Sequence, residues 1–223
     1  MSRFGHLFDK FRPANGAAGD AAAPIVGETR WLVVGLGNPG EQYRRSRHNI
    51  GFMVVERLAA ARGADLTRRK FNGFYGEARG DGVITMFALP QTFYNRSGEC
   101  AAGMSGYFKV PLERVIVVHD DMDLAAGRIR IKRGGGDAGN RGVRSIAEAI
   151  GKEFIRVRVG IGHPGQSPGQ SADNRGDVDY VLKPLGRDET REFEPIIDRA
   201  GEAVLAVMRD GLERAMNQFN TRA

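Results

Sequence analysis

The chain has 223 residues, 41% of them hydrophobic and 27% charged, with a net charge of +6 and a sequence pI near 9.8. That length buries a real core in one domain, and its lone cysteine, Cys100, excludes a disulfide framework or a Cys-rich metal site and points to a reducing, cytoplasmic compartment. No stretch has the apolar length of a membrane span or a signal-peptide core, and the basic balance suits an acidic partner such as a nucleic acid.

Residues 1–29 stand apart. "MSRFGHLFDKF" has an amphipathic turn or two, and "RPANGAAGDAAAP" reads as a linker of small residues and breakers. Arg3, Lys10 and Arg12 balance Asp9, Asp20 and Glu28, so the basic excess belongs wholly to residues 30–223. A flexible extension over 1–29 followed by a single domain over 30–223 is the expected organisation.

From Trp31 onward strand and helix patterns alternate. "WLVVG" is a buried strand, and residues 50–63 carry a helical pattern. "GFYGEARG" and "GVITMFALP" read as a hairpin turning at Gly80-Asp81-Gly82. "SGECAAGMSGYFKV" is a glycine-weakened helix, and Cys100 among its small residues reads as a buried, inert thiol. "RVIVVHDD" is a continuous apolar strand, "GRIRIKR" alternates with period two, "VRSIAEAIG" is helical and "IRVRVGIGHPG" returns as a strand. Residues 188–220 are helical, with a break at Asp210-Gly211. Interleaving of this kind implies an α/β domain, a mixed, mostly parallel sheet with helices on both faces. Ligands in such sheets bind beyond the strands' carboxyl ends, here after Val34, Val118 and Ile161.

The loop after the first strand, "GLGNPGEQYRRSRHN", contains the G-x-G-x-x-G spacing of a dinucleotide cradle. Such a cradle needs a helix that starts inside the glycine run, yet Pro39 and a polar segment delay the helical pattern to about Asn49. Glu56, the nearest acid downstream that could face a ribose, falls within the helix. No dinucleotide cofactor is expected. The loop instead presents side chains: Asn38, and His48 at the helix entrance beside the capping residue Asn49. Asp120, placed just past a buried strand, could orient an imidazole, and Asn95 starts a helix after "LPQTF". Asp121 and Asp123 do not make a metal site with Asp120, because a strand points alternate residues to opposite faces. His119 and His163 read as structural.

Taken together, "VVGLGNPGEQYRRSRHNIGF", "LPQTFYNRSG", "HDDMDLAAGRIRIKRGGG", "RVRVGIGHPG" and "GLERAMNQFN" resemble the bacterial-type peptidyl-tRNA hydrolase family over about residues 31–220. The resemblance implies hydrolysis of the ester between a peptide and the 3′-terminal ribose of tRNA, with no cofactor or metal, by a monomer whose partner is tRNA. It makes His48 the general base and Asp120 the carboxylate that orients it. By the same similarity, Asn38 and Asn95 bracket the site, Asn38 screens against a free amino group, and Tyr43 and Phe93 contact substrate. For Phe93, core packing is an equally good reading.

Between Gly127 and Gly160 nine basic residues face three acidic ones, around the loop "GGGDAGNRG". The resemblance assigns that loop to a lid and tRNA-contacting region, with Arg130, Lys132 and Arg158 at basic positions of the family. The family usually has His-Asn where this chain has Asn140 and Arg141, both substrate-facing positions, and commonly has methionine at Tyr94. These departures keep a second reading open, in which the same scaffold binds RNA with little or no catalysis.

Overall fold

The computed structural model describes residues 28–80, 82–163 and 179–221. Most of the expected extension therefore lies outside the described residues. The first strand, β1 (Thr29–Gly35), begins one residue inside it. Then follow α1 (Ile50–Ala61), β2 (Arg68–Lys70), β3 (Gly73–Gly80), β4 (Val83–Pro90), α2 (Ser97–Phe108), β5 (Val115–Asp121) and β6 (Ile129–Arg133). The chain closes with α3 (Arg141–Ile150), β7 (Ile155–Gly160), α4 (Arg187–Asp210) and α5 (Leu212–Phe219).

All seven strands form one sheet in the order β2-β3-β4-β1-β5-β7-β6. The four in the middle, β4, β1, β5 and β7, run parallel, whereas β2, β3 and β6 join antiparallel at the edges. Strands covered on both faces must be apolar throughout, and β5 is buried at every position. On one face, Val33, Ile116, Val118 and Val157 pack with Val54 and Leu58 of α1, Val204 and Val207 of α4, and Phe219 of α5. Leu32, Val34, Val115 and Val117 meet Cys100 and Met104 of α2 and Val143 and Ile146 of α3 on the other. Cys100 has no exposed surface, and burial pushes its thiol up to about 12, so it stays protonated and inert.

The hairpin turns where the sequence places it, with Gly80 paired to Val83. The short edge strand β2 has no counterpart in the sequence reading. It carries three basic residues and no apolar alternation, and it returns through Phe71 and Asn72, both in the left-handed region.

Glycine explains the loop after β1. A Cβ on Gly35 would lie 2.4 Å from the carbonyl oxygen of Gly51, and one on Gly37 would enter the Phe52 ring. These two glycines let α1 press against the end of β1, and Leu36 N–H donates to Val118 O while Phe52 N–H donates to Leu36 O. The spacing that resembles a phosphate cradle is a packing device. Only Gly40, at φ +112°, is a turn glycine.

Candidate active site

β1 has β4 on one side and β5 on the other, and the crossover helices α1 and α2 lie on opposite faces. The connections part here, leaving a crevice beyond the carboxyl ends of these strands. Asn38 enters it from the loop after β1 and Asp120 from the end of β5, while Asn95 sits in the turn after β4. His48 reaches the same place from a 3-10 turn, residues 47–49, immediately before α1.

His48 Nδ1 lies 2.9 Å from Asp120 Oδ2. Asp120 belongs to β5 itself rather than to the loop beyond it, and it is 4% exposed, held in place by pairing with Val159 of β7. Burial alone would raise its pKa. The charge of His48, with hydrogen bonds from His48 and Tyr94, outweighs that and holds the carboxyl below its ordinary range. An ionised Asp120 fixes the tautomer in which Nδ1 carries the proton, leaving His48 Nε2 as the basic nitrogen.

Tyr94, where the family commonly has methionine, is a buried member of the site. Its hydroxyl donates to Asp120 Oδ1 at 2.6 Å and its ring stacks on His48, with centroids 3.5 Å apart and planes 15° from parallel. Asn49, expected to cap α1, makes no capping bond and does other work. Its Oδ1 accepts from Asn38 N–H and its Nδ2 donates to Asn38 O, both at 2.9 Å. Asn38 Oδ1 in turn accepts from Tyr94 N–H. With its oxygen engaged, Asn38 presents its Nδ2 as a donor.

Arg47, which no sequence signal singles out, is buried and pairs with Glu189 at the start of α4. Its guanidinium sits 4.4 Å from the centre of the Tyr180 ring, and Leu185 N–H donates to Arg45 O. The segment leading into α4 thereby clasps the loop that carries His48. A partner 142 positions away in sequence leaves no local trace.

Of the remaining expected residues, Asn95 and Phe93 are on the rim. Phe93 is 64% exposed, which removes the core-packing reading, and Asn95 is exposed in the turn of residues 94–96. Tyr43 is half-buried in the turn of residues 41–43. A cavity of about 710 Å³ opens beside Phe93, lined also by Pro39, Lys70, Asn72, Gln91 and Arg96.

Asn140 caps α3, its Oδ1 accepting from Val143 N–H, while its Nδ2 donates to the Tyr94 hydroxyl at 3.0 Å. Arg141 is exposed in the first turn of α3, and no ion pair holds it among the described residues. A cation at a helix N-terminus is not favoured by the dipole, so stability does not explain it. Upstream, Ala138 adopts φ +49°, a left-handed position that favours glycine.

Across β6 and β7, Arg130 stands opposite Arg158 and Lys132 opposite Arg156, four cations on the sheet face that α2 and α3 cover in part. Like charges placed directly opposite destabilise a sheet. Burial, then Arg156 and Arg158, push Lys132 below its usual range. Asp121 relieves part of this by accepting from Arg158 Nε at 2.6 Å, and it also accepts from Asp123 N–H. Among the described residues no group of three or more His, Cys, Asp or Glu side chains is placed to hold a metal. His119 is buried, and desolvation lowers its pKa to about 4, so it stays neutral.

Fold and site together define a doubly wound α/β protein with a histidine–carboxylate pair at its switch point and a cationic sheet edge alongside. Residues 32–223 match the family model described as peptidyl-tRNA hydrolase. The peptidyl-tRNA hydrolase of Nocardia farcinica is 44% identical over 191 residues, spanning 85% of this chain and 95% of the relative. That of Syntrophotalea carbinolica is 40% identical over 195 residues, 86% of this chain and 97% of the relative. The crystal structure of the Acinetobacter baumannii enzyme superposes with a TM-score of 0.77 at 35% identity, over 90% of this chain and 98% of that one. The chain belongs to the peptidyl-tRNA hydrolase family.

Proposed function

We propose that this chain hydrolyses the ester joining a peptide to the 3′-terminal ribose of tRNA, as the names of its relatives describe for them. The observation that carries the mechanism is the 2.9 Å contact between His48 Nδ1 and Asp120. His48 Nε2 takes a proton from water, and the hydroxide attacks the ester carbonyl. General-base catalysis of this kind is usually worth about 10²–10⁴ in rate, and Asp120 stabilises the imidazolium that results. Asn38 Nδ2 donates to the carbonyl oxygen as it gains charge, with Asn95 across the crevice. The imidazolium then returns its proton to the departing ribose oxygen, so that an intact tRNA leaves with a peptide acid that releases its remaining proton to water.

Arg130, Lys132, Arg158 and Arg141 hold phosphates of the tRNA, and Asn140 shapes the entrance between them and the chemistry. Phe93 and Tyr43 contact the peptide, whose chain extends into the cavity beside Phe93. Phe93 and Tyr107 are the large hydrophobic side chains exposed among the described residues. Two such side chains make too small an apolar patch for an obligate interface, and the protein acts as a monomer in the cytoplasm.

Release of tRNA from an N-blocked aminoacyl-tRNA tests the reading. His48→Ala lowers turnover about 10²-fold or more while tRNA affinity stays close to that of the parent. Near-normal turnover in that variant would end the mechanism. A parent protein that binds tRNA tightly and never cleaves it would favour the RNA-binding scaffold instead.

A further inference from the structure

Tyr94 touches Asn38, His48, Asp120 and Asn140 at once. Its backbone N–H donates to Asn38 Oδ1 at 2.9 Å, its ring lies on His48, its hydroxyl donates to Asp120 Oδ1, and that same oxygen accepts from Asn140 Nδ2. Space is kept for it, since a Cβ on Gly142 would fall 2.5 Å from Tyr94 Cε1. The geometry points to Tyr94 as a positioning residue that sets how much of the charge of Asp120 reaches His48, with Asn140 steering the phenol. This inference rests on the assignment of His48 as the base.

Asp120 has two oxygens and divides them, Oδ2 to the imidazole and Oδ1 to the phenol. A short O–H donor on one oxygen disperses the negative charge, which leaves less of it to stabilise a protonated imidazole. Burial, and next the charge of Asp120, hold the Tyr94 phenol well above its ordinary range, so it remains a donor at any working pH. The bond from Asn140 polarises the hydroxyl further in the same direction. The stacked ring meanwhile fixes the plane of the imidazole and with it the aim of Nε2. The ionisable groups that face the pair from neighbouring elements are His119 of β5, kept neutral by burial, Asp121, which accepts from Arg158 of β7, and the guanidinium groups of Arg156 and Arg141. The acid limb of the pH–rate profile is the readout for the His48–Asp120 pair.

A purely structural Tyr94 would change stability and leave that limb in place. The test uses the full chain and N-blocked aminoacyl-tRNA, with kcat and KM followed against pH and Tm measured for each variant. Tyr94→Phe keeps the ring and loses the hydroxyl. Its acid limb moves to higher pH by about half a unit or more, and its plateau kcat falls about fivefold at unchanged KM. Asn140→Ser keeps a helix-capping oxygen but cannot reach the phenol, so it moves the limb the same way by a smaller step. If Tyr94→Phe fails to fold, Asn140→Ser decides alone. Limbs that stay at the parental pH, with His48→Ala inactive, overturn the role of Tyr94 only. An active His48→Ala overturns the base, and this inference falls with it.

Discussion

The cluster around His48 and Asp120 and the β6–β7 edge lie close together and are bonded in opposite ways. Around Asp120 each carboxylate oxygen has a donor, and Asn38, Asn49, Tyr94 and Asn140 satisfy one another. Across β6 and β7, cations oppose cations, and Asp121 neutralises one of them. The first arrangement is braced by its own hydrogen bonds and holds atoms in place. The second is short of anions and gains by binding them. Rate should reside in one and salt-dependent affinity in the other.

The strongest challenge to that division after loss of His48 is Asp120→Asn. An amide holds the ring but does not stabilise its positive charge, so turnover falls by about 10–100-fold, less than for His48→Ala. Binding of tRNA, measured by salt titration, keeps its slope. A change of slope would place Asp120 in anchoring and blur the two regions.

Next come Arg130→Ala and Lys132→Ala. Each lowers tRNA affinity and reduces the salt slope by about one unit, with single-turnover hydrolysis at saturation retained. Loss of hydrolysis at saturation would show that the basic edge also sets substrate geometry.

Arg141 lies at the junction, one residue from Asn140. An arginine only donates and prefers phosphate, whereas an amide both donates and accepts. Arg141→Asn therefore weakens tRNA binding and takes about one unit from the salt slope, while turnover of short peptidyl esters is kept or improved. An unchanged slope would remove Arg141 from the phosphate contacts. The smallest effect belongs to the N-terminal extension. Deleting residues 1–27, which carry a net charge of +1 and stop short of Glu28 and the start of β1, should leave slope, turnover and Tm nearly unchanged; a melting point lower by several degrees would show that the Phe4 to Phe11 segment docks on the domain.

The central strands were legible because a sheet covered on both faces demands continuous apolar runs, and "WLVVG" and "RVIVVHDD" have them. The break in the C-terminal helices was legible as well, since Gly211 at φ +85° separates α4 from α5. What escaped was fixed by partners far along the chain. Tyr94 meets Asp120 26 positions on, and Arg47 meets Glu189. Asn49 has the composition of a cap, and only the close approach of β1 and α1 turns it toward Asn38. Asp120 reads as lying just past the apolar run, whereas pairing with Val159 keeps it within the sheet. The glycine spacing misleads in the same way, for it encodes contact between backbones rather than a ligand.

Cys100 has a practical consequence. As the lone thiol of the chain, on the buried face of α2 and kept protonated, it makes the protein silent toward maleimides and disulfide reagents in its native state. A cysteine introduced at an exposed rim position would then be the single site that such a reagent labels. Dyes or crosslinkers could be attached there without first deleting a native residue, and labelling of Cys100 itself would serve as a clock for global unfolding.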